Sequence, residues 1–160
     1  MFDPPMWKAF LRYRELDTEA RKLFWRAGTL LLMVAVSLRA RGFRRTKEAL
    51  GRKLAGQPAD ASPKGGSVEA LQKTCRMVSA GAHYGLGHPS CLEQSLVLWY
   101  LLESQRIPAR FRIGVRKVGG KFEAHAWVEH QGRPLNQAEQ VHQHYAAFEG
   151  EFADLPEESA

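Results

Sequence analysis

The chain has 160 residues, 44% of them hydrophobic and 25% charged, and a formal net charge of +6 at pH 7. At this length a single domain can bury about 70% of its unfolded surface, so folding requires neither disulfides nor a structural metal. The sequence starts without the basic segment and apolar core of a secretory signal. We therefore predict a cytoplasmic protein in which Cys75 and Cys91 are free thiols.

The charge is divided unevenly between the two ends of the chain. Residues 1–54 carry 13 basic and 5 acidic side chains, whereas residues 137–160 carry 6 acidic and no basic ones. Nucleic-acid binding normally requires a motif or stacking aromatic residues in addition to charge. We therefore interpret the basic half as the solvated face of amphipathic helices and predict no nucleic-acid partner. An acidic peptide or partner protein is the next candidate for this face.

The first 54 residues are predicted to be helical. The pattern favours a short helix around residues 7–14, a long helix from a cap at Asp17 to about Arg41, and a third helix over residues 43–54, with Gly42 between the last two. The apolar run of residues 29–38 is too short for a membrane span, which needs about 20 residues, so we interpret it as a buried helix segment.

Residues 56–67 are rich in Pro, Gly, Ala and Ser and have no periodicity, which is typical of a surface loop. This loop separates the basic helical part from the rest of the sequence. We therefore divide the chain into a helical N-terminal arm (1–54), a linker (55–67), a core (68–150) and an acidic tail (151–160).

The core is predicted to begin with two helices. Ser67 caps a helix that runs to about residue 79 and carries Cys75 on its apolar stripe, and a loop follows at residues 80–89. Ser90 and Glu93 form the S-x-x-E pattern of a capping box, which places Cys91 in the first turn of the next helix. Residues 96–102 (LVLWYLL) are apolar on every side, so we expect other elements to enclose this helix.

An antiparallel meander is predicted after the central helix. Residues 110–116 and 122–129 alternate between apolar and polar side chains, and Gly119-Gly120 between them predicts a hairpin. A second turn at Gln131-Gly132 leads to a short edge segment. Helices followed by antiparallel strands indicate an α+β fold.

Cys91 is the candidate nucleophile of this sequence. The unpaired amides and the positive dipole end of a helix N-terminus stabilise a thiolate, and the amides of Cys91 and Leu92 can also donate to an oxyanion. A thiol nucleophile needs a rigidly held base, and His125 in the middle of a strand is the best candidate. We expect the strand face that His125 shares with Trp127 to lie against the start of the central helix.

The group that would orient His125 is left open by the sequence. Asn136 lies on the segment that returns beside His125 and can hold its tautomer without supplying a charge, while Gln137 and Glu139 are alternatives. His88 is a weaker candidate for the base, because it precedes a proline in a Gly-rich loop.

Purely structural roles for the same residues also remain as alternatives. A lone cysteine is usually a core residue, and a lone strand histidine is usually half-buried and structural. A zinc site lacks paired ligand spacing, so we predict no metal; the residues considered are Cys75, His83, His88 and Cys91. His142 and His144 are interpreted as surface residues.

Two stretches, SCLEQSLVLWYLLESQRIPARFRIGVRK and FEAHAWVEHQGRPLN in this order, carry a family resemblance. Together they resemble the transglutaminase-like cysteine protease that removes leader peptides in lasso-peptide biosynthesis, in the form that stands apart from its leader-binding partner. The likeness covers residues 68–136, and FWRAGTLLLMVAVSLRARGFRR resembles the arm of that family. The resemblance implies a transglutaminase-like or papain-like core, in which the helix bearing Cys91 packs on an antiparallel sheet and His125 is the base. The family generally has an acid after the histidine, where this chain has Asn136 and Gln137.

The resemblance also implies an activity. It implies hydrolysis of one peptide bond in a ribosomally made precursor, through an acyl-enzyme and without a cofactor. The implied partners are the precursor peptide and a leader-recognition protein, with the ATP-dependent lasso cyclase as a further candidate. Acyl transfer to an amine and a non-catalytic binding module with the same fold remain as alternatives. The sequence identifies neither the precursor nor the residues that bind it.

Overall fold

The computed structural model describes residues 16–57, 67–85, 88–136 and 145–147. Within these ranges three helices come first, and four antiparallel strands follow. The helices are α1 (Thr18–Ala55), α2 (Val68–Tyr84) and α3 (Cys91–Ser104), and the strands are β1 (Arg110–Val118), β2 (Lys121–His130), β3 (Arg133–Pro134) and β4 (Ala146–Ala147). This order of elements confirms the predicted α+β fold. The helix predicted around residues 7–14 lies outside the described residues.

Each helix begins at the polar side chain that the sequence indicates. The Asp17 carboxylate accepts from the Ala20 amide at 2.6 Å, and the Ser67 hydroxyl accepts from the Ala70 amide at 3.1 Å. Such caps satisfy amides that the first turn leaves without an intrahelical acceptor, so they fix where each helix starts.

Gly42 divides α1 into two helical segments. Its backbone has φ 75° and ψ 177°, a conformation essentially restricted to glycine, so the chain changes direction there while the helix resumes at once. The Thr46 hydroxyl, which is buried, is 2.8 Å from the Gly42 carbonyl and 2.9 Å from the Ser37 hydroxyl across the bend. The predicted break at Gly42 is confirmed.

Helix α3 lies at the centre of the protein. Its apolar side chains are buried on all sides, and they pack with residues of α1, α2 and the sheet in one core that includes Leu31, Val78, Leu101 and Val128. The enclosure predicted for residues 96–102 is confirmed, although Trp99 is only partly buried. Because α1 contributes to this core, the described part of the N-terminal arm packs against the rest of the fold.

The prediction that residues 29–38 are buried is only half right. Leu30, Leu31 and Val34 are buried, whereas Leu32 and Val36 are about half exposed, because only one face of α1 meets the other helices. One 18-residue window of α1 has a mean hydropathy of 1.4 and is long and apolar enough to cross a membrane by length and composition alone. Core helices pass the same test, so this is weak evidence for a span.

Helix α2 is longer than predicted. The sequence places its end near residue 79, but the helix continues through Gly81 to Tyr84. A β-carbon at Gly81 would lie 3.4 Å from the Gly28 amide nitrogen and 3.6 Å from the Ala27 side chain. The glycine that suggests a loop is therefore a point of close approach between α1 and α2.

The four strands form one antiparallel sheet in the order β3-β2-β1-β4. The β1–β2 hairpin and the edge strand β3 are as predicted, and the turn between β1 and β2 has positive φ at both Gly119 and Gly120. Strand β4, which pairs with Gly114 and Val115 of β1, was not predicted. Strand β3 pairs only with Glu129 and His130, so it covers only the last part of the β2 edge.

Candidate active site

Cys91 is the first residue of α3 and is half-buried. It follows the N-cap Ser90, whose hydroxyl accepts from the Glu93 amide at 3.3 Å while the Glu93 carboxylate accepts from the Ser90 amide at 2.5 Å. This reciprocal capping box confirms the predicted start of the helix. Its two hydrogen bonds hold the first turn of α3, which carries the thiol, and so fix the position of the Cys91 backbone. The amides proposed for an oxyanion, those of Cys91 and Leu92, belong to this same turn.

His125 lies in the middle of β2, opposite Gly114 of β1, and is half-buried. Its ring is stacked with that of Trp127, with 6.2 Å between centroids and 12° between planes. The ring of Tyr145, next to β4, approaches to 5.2 Å at 40°. The Nε2 atom of His125 is buried. Two aromatic rings therefore restrict the imidazole, as a rigidly held base requires.

Charged side chains hold these aromatic rings in turn. The indole of Trp127 donates to Glu129 at 2.8 Å, and Glu129 accepts from Arg112 at 3.2 Å. The Arg116 guanidinium lies 4.7 Å from the centre of the Tyr145 ring and pairs with Glu123 at 2.7 Å. The Glu123 carboxylate is the main reason that the pKa of Arg116 is raised, and Tyr145 adds to it.

Two contacts show how α3 lies along β2. The Ser95 hydroxyl donates to the Ala126 carbonyl at 3.0 Å, and the Pro108 carbonyl, just after the helix, lies 2.7 Å from Nδ1 of His130. The helix and the strand therefore run in the same sense. Cys91 precedes Ser95 by one helical turn, about 6 Å, and two strand residues before Ala126 span about 6.6 Å. This places the first turn of α3 at the level of Ala124 and His125.

The helix reaches β2 at its edge and not across the face of His125. Residues alternate along the strand, and Val128 belongs to the apolar core with α3, so the face of Val128 and Ala126 is the one that the helices cover. His125 and Trp127 point to the opposite face. The expectation that their face lies against the start of α3 is therefore wrong. An approach of the Cys91 sulfur to the His125 imidazole has to be made around the β2 edge that β3 leaves uncovered.

Asn136 follows β3 and bridges this edge to α3. Its Oδ1 accepts from the Val128 amide at 3.0 Å, and its Nδ2 donates to the Ser95 hydroxyl at 2.9 Å. Asn136 is thus brought to the same edge as Ser95, and whether it orients His125 stays a prediction. The alternatives Gln137 and Glu139 lie outside the described residues.

The other cysteine and the described histidines that were considered as site residues differ in burial. Cys75 packs against the core, and burial raises the pKa of its thiol to about 11. His83 and His88 are exposed, while His142 and His144 lie outside the described residues. Within the described ranges, no three side chains from His, Cys, Asp and Glu come together as a metal site.

Two grooves on the described surface lie away from Cys91. One of about 450 Å³ is lined by Leu54, Glu103, Arg106 and Pro108. The other, of about 520 Å³, lies in the bend of α1 and is lined by Leu32, Val36, Leu50 and Lys53, among others. Neither contributes to the arrangement around His125.

Two residues of this region, Ser95 and Tyr145, were not predicted from the sequence. Ser95 could have been found as the polar residue that lies one turn after Cys91 and directly precedes the apolar run of residues 96–102. Tyr145 carries no comparable signal, because it is one of three aromatic residues in an acidic segment and only the pairing of β4 with β1 brings it to His125.

Comparison with known families finds one family that matches this chain. The family described as the transglutaminase-like superfamily matches residues 30–149, three quarters of the chain. The chain belongs to the transglutaminase-like superfamily. This superfamily includes cysteine proteases and acyltransferases, so its members are commonly enzymes. Searches of curated proteins and of solved structures found no match to this transglutaminase-like chain.

Proposed function

We propose that this chain is a cysteine peptidase that removes the leader from a lasso-peptide precursor, with Cys91 as nucleophile and His125 as base. The observation that carries the proposal is the hydrogen bond of Ser95 to Ala126, from which we infer that the capped turn of Cys91 lies at the level of His125. Membership of the transglutaminase-like superfamily supports the class of chemistry. The choice of precursor rests on the resemblance of residues 68–136.

The proposed reaction has two steps. His125 takes the proton of Cys91, and the thiolate attacks the carbonyl carbon at the end of the leader, while the amides of Cys91 and Leu92 bind the oxyanion. The C–N bond then breaks, and the imidazolium gives its proton to the new amino terminus of the core peptide. Water, deprotonated by His125, hydrolyses the thioester, which releases the leader and restores the thiol.

The protein surroundings of His125 support its role as base. The rings of Trp127 and Tyr145 limit rotation of the imidazole, so little motion has to be arrested when the proton moves. A third group would hold the tautomer, and Asn136, Gln137 and Glu139 remain the candidates. We further propose that the chain acts in the cytoplasm with the precursor and a leader-recognition protein, and that the basic, exposed side of α1 is available to such partners.

The matched substitutions Cys91→Ala and Cys75→Ala test the proposal. The assay combines the chain with a leader-recognition protein and a precursor encoded beside its gene, and mass spectrometry measures leader and core peptide. We expect Cys91→Ala to lose at least about 10³-fold in rate, because the nucleophile is gone, and Cys75→Ala to stay within about threefold of wild type.

Three results would contradict the proposal in different ways. Full turnover by Cys91→Ala would show that this thiol is not the nucleophile. A product in which the leader is joined to an amine would indicate acyl transfer instead of hydrolysis. Equally slow alkylation of Cys91 and Cys75 by iodoacetamide near pH 6, with no product of either kind, would indicate a binding module.

A further inference from the structure

A buried hydrogen-bond chain joins the cysteine helix to the histidine strand. Ser95 is fully buried; its hydroxyl donates to the Ala126 carbonyl at 3.0 Å and accepts from the Asn136 amide at 2.9 Å. The Asn136 carbonyl oxygen in turn accepts from the Val128 amide at 3.0 Å. These hydrogen bonds therefore connect α3 to β2 in two ways. Ser95 bonds directly to the Ala126 carbonyl, and through Asn136 it is linked to the Val128 amide.

These hydrogen bonds lie next to both reactive residues of the proposed site. Ser95 follows Cys91 by one turn on the same face of α3, and Ala126 is the residue after His125. Other contacts of α3 with the sheet are apolar, such as those among Leu96, Val128 and their neighbours in the core. Apolar packing has no directional preference, whereas hydrogen bonds fix which atoms face each other.

The same hydrogen bonds also satisfy backbone groups on the part of the β2 edge with which β3 does not pair. Strand β3 pairs with β2 only at Glu129 and His130, so the Ala126 carbonyl receives its bond from Ser95 instead of from a strand. A buried backbone group without a partner is costly, so a shift of α3 along β2 that breaks these bonds is unfavourable.

We propose that Ser95 and Asn136 are positioning residues that hold the turn of Cys91 in register with His125. This inference rests on the proposed function. It assigns Asn136 a different task from that of a triad member, since Asn136 acts on the cysteine helix through Ser95. The consequence is geometric: without the hydrogen bonds, α3 slides or tilts at the β2 edge, and the thiol no longer meets the imidazole.

The chemistry of the amide explains why an asparagine stands at position 136. Its side chain accepts from the Val128 amide and donates to the Ser95 hydroxyl at the same time. A carboxylate can only accept, so an aspartate would take the Ser95 proton and leave the Ala126 carbonyl without its donor. Asn136→Asp should therefore behave like Asn136→Ala. If Asn136 were a triad member, the carboxylate would stabilise the imidazolium, and Asn136→Asp would retain activity.

The experiment compares Ser95→Ala and Asn136→Asp with wild type, in two readouts. The first is the rate of Cys91 alkylation by iodoacetamide at pH 6, with His125→Ala as the baseline for an unpaired thiol. The second is kcat and KM for leader removal. A misplacement of about 1 Å can cost about 10²-fold in rate, so we expect both variants to fall at least about 10-fold in alkylation rate and in kcat, with KM within about threefold.

Thr74→Val is the matched control for a merely structural effect. Thr74 is as fully buried as Ser95, and its hydroxyl accepts from the Gln105 amide at 3.0 Å, which joins α2 to the far end of α3. Its removal should lower the unfolding temperature as Ser95→Ala does, yet leave the alkylation rate and kcat within about twofold of wild type. Circular dichroism checks that every variant is folded, and Asn136→Asp, at a half-buried position, covers the case in which Ser95→Ala does not fold.

The outcomes separate this inference from the proposed function. Wild-type rates in Ser95→Ala or Asn136→Asp would overturn the positioning role while leaving the Cys91–His125 pair intact. An equal loss in Thr74→Val would show a general effect of stability and would also overturn it. If wild-type Cys91 is alkylated no faster than in His125→Ala, the pair itself is absent, and both the proposed function and the positioning role fall.

Discussion

At the scale of single residues, the two cysteines have opposite surroundings. Cys91 stands in the capped first turn of α3, whereas Cys75 packs against the core, where burial raises the pKa of its thiol from 9.0 to about 11. Only a thiolate reacts readily, so Cys75 is protected at neutral pH. The sequence predicted this division from the capping pattern and the apolar stripe alone.

The raised pKa of Cys75 predicts a pH dependence of stability. The folded protein keeps the thiol proton up to about pH 11, while the unfolded chain loses it near pH 9.0. Unfolding is therefore favoured increasingly as pH rises from 9 to 11, by an amount on the order of 2 kcal/mol. Urea unfolding of wild type and Cys75→Ala across this range measures it. A difference in stability between the two proteins that stays constant from pH 8 to pH 11 would contradict the assignment.

At the same scale, the sequence could not give the contacts that depend on the sheet. Ser95 and Asn136 are 41 positions apart and meet at the part of the β2 edge with which β3 does not pair. Tyr145 reaches His125 only through β4. The sequence identified Asn136 as important from its place after the second turn, but its hydrogen bonds with Ser95 and Val128 required the structure.

At the scale of elements, local signals predicted the starts of helices better than their ends. Asp17, Ser67 and Ser90 are all caps, because each supplies an oxygen to amides a few residues on. The end of α2 was placed too early, since Gly81 was interpreted as part of a loop. A glycine can end a helix, or it can let two helices pack closely. Only the packing of α1 against α2 shows that Gly81 does the second.

Two glycines of α1 predict opposite effects of the same substitution. Gly42 has φ 75° and ψ 177°, so Gly42→Ala forces an alanine into a strained backbone and should destabilise the fold by about 1 to 3 kcal/mol. Gly28 lies inside the helix, and a β-carbon there meets nothing within 4 Å, so Gly28→Ala should stabilise the fold by up to about 1 kcal/mol. Chemical denaturation measures both. Equal effects of the two substitutions would show that the bend at Gly42 is not a rigid part of the fold.

At the scale of the whole molecule, α1 was harder to interpret than the rest. Its apolar run suggested complete burial, yet the helix packs through Leu31 and Val34 and leaves Leu32, Met33 and Val36 at the surface. Periodicity cannot distinguish a helix with two apolar faces from one that is enclosed, because both lack a polar side. The same helix carries ten basic and two acidic side chains, which suits a partner of opposite charge.

The overall arrangement follows from the central helix. Residues 96–102 of α3 are apolar on every side, so α1, α2 and the sheet have to cover this helix, and its Ser95 then meets β2 next to His125. The fold class was therefore predictable from the sequence, while the roles of Cys91 and His125 stay predictions. The route by which α3 approaches β2, at the edge and not across the face of His125, was not.

The central claim is that Cys91 becomes acylated by the leader, with His125 as the base. The most direct measurement is intact-protein mass spectrometry after acid quenching during turnover of the precursor, followed by peptide mapping. We predict an added mass equal to the leader acyl group, located on Cys91 in wild type and strongly reduced in His125→Ala. Leader removal without any such adduct, or with the adduct on another residue, would contradict it.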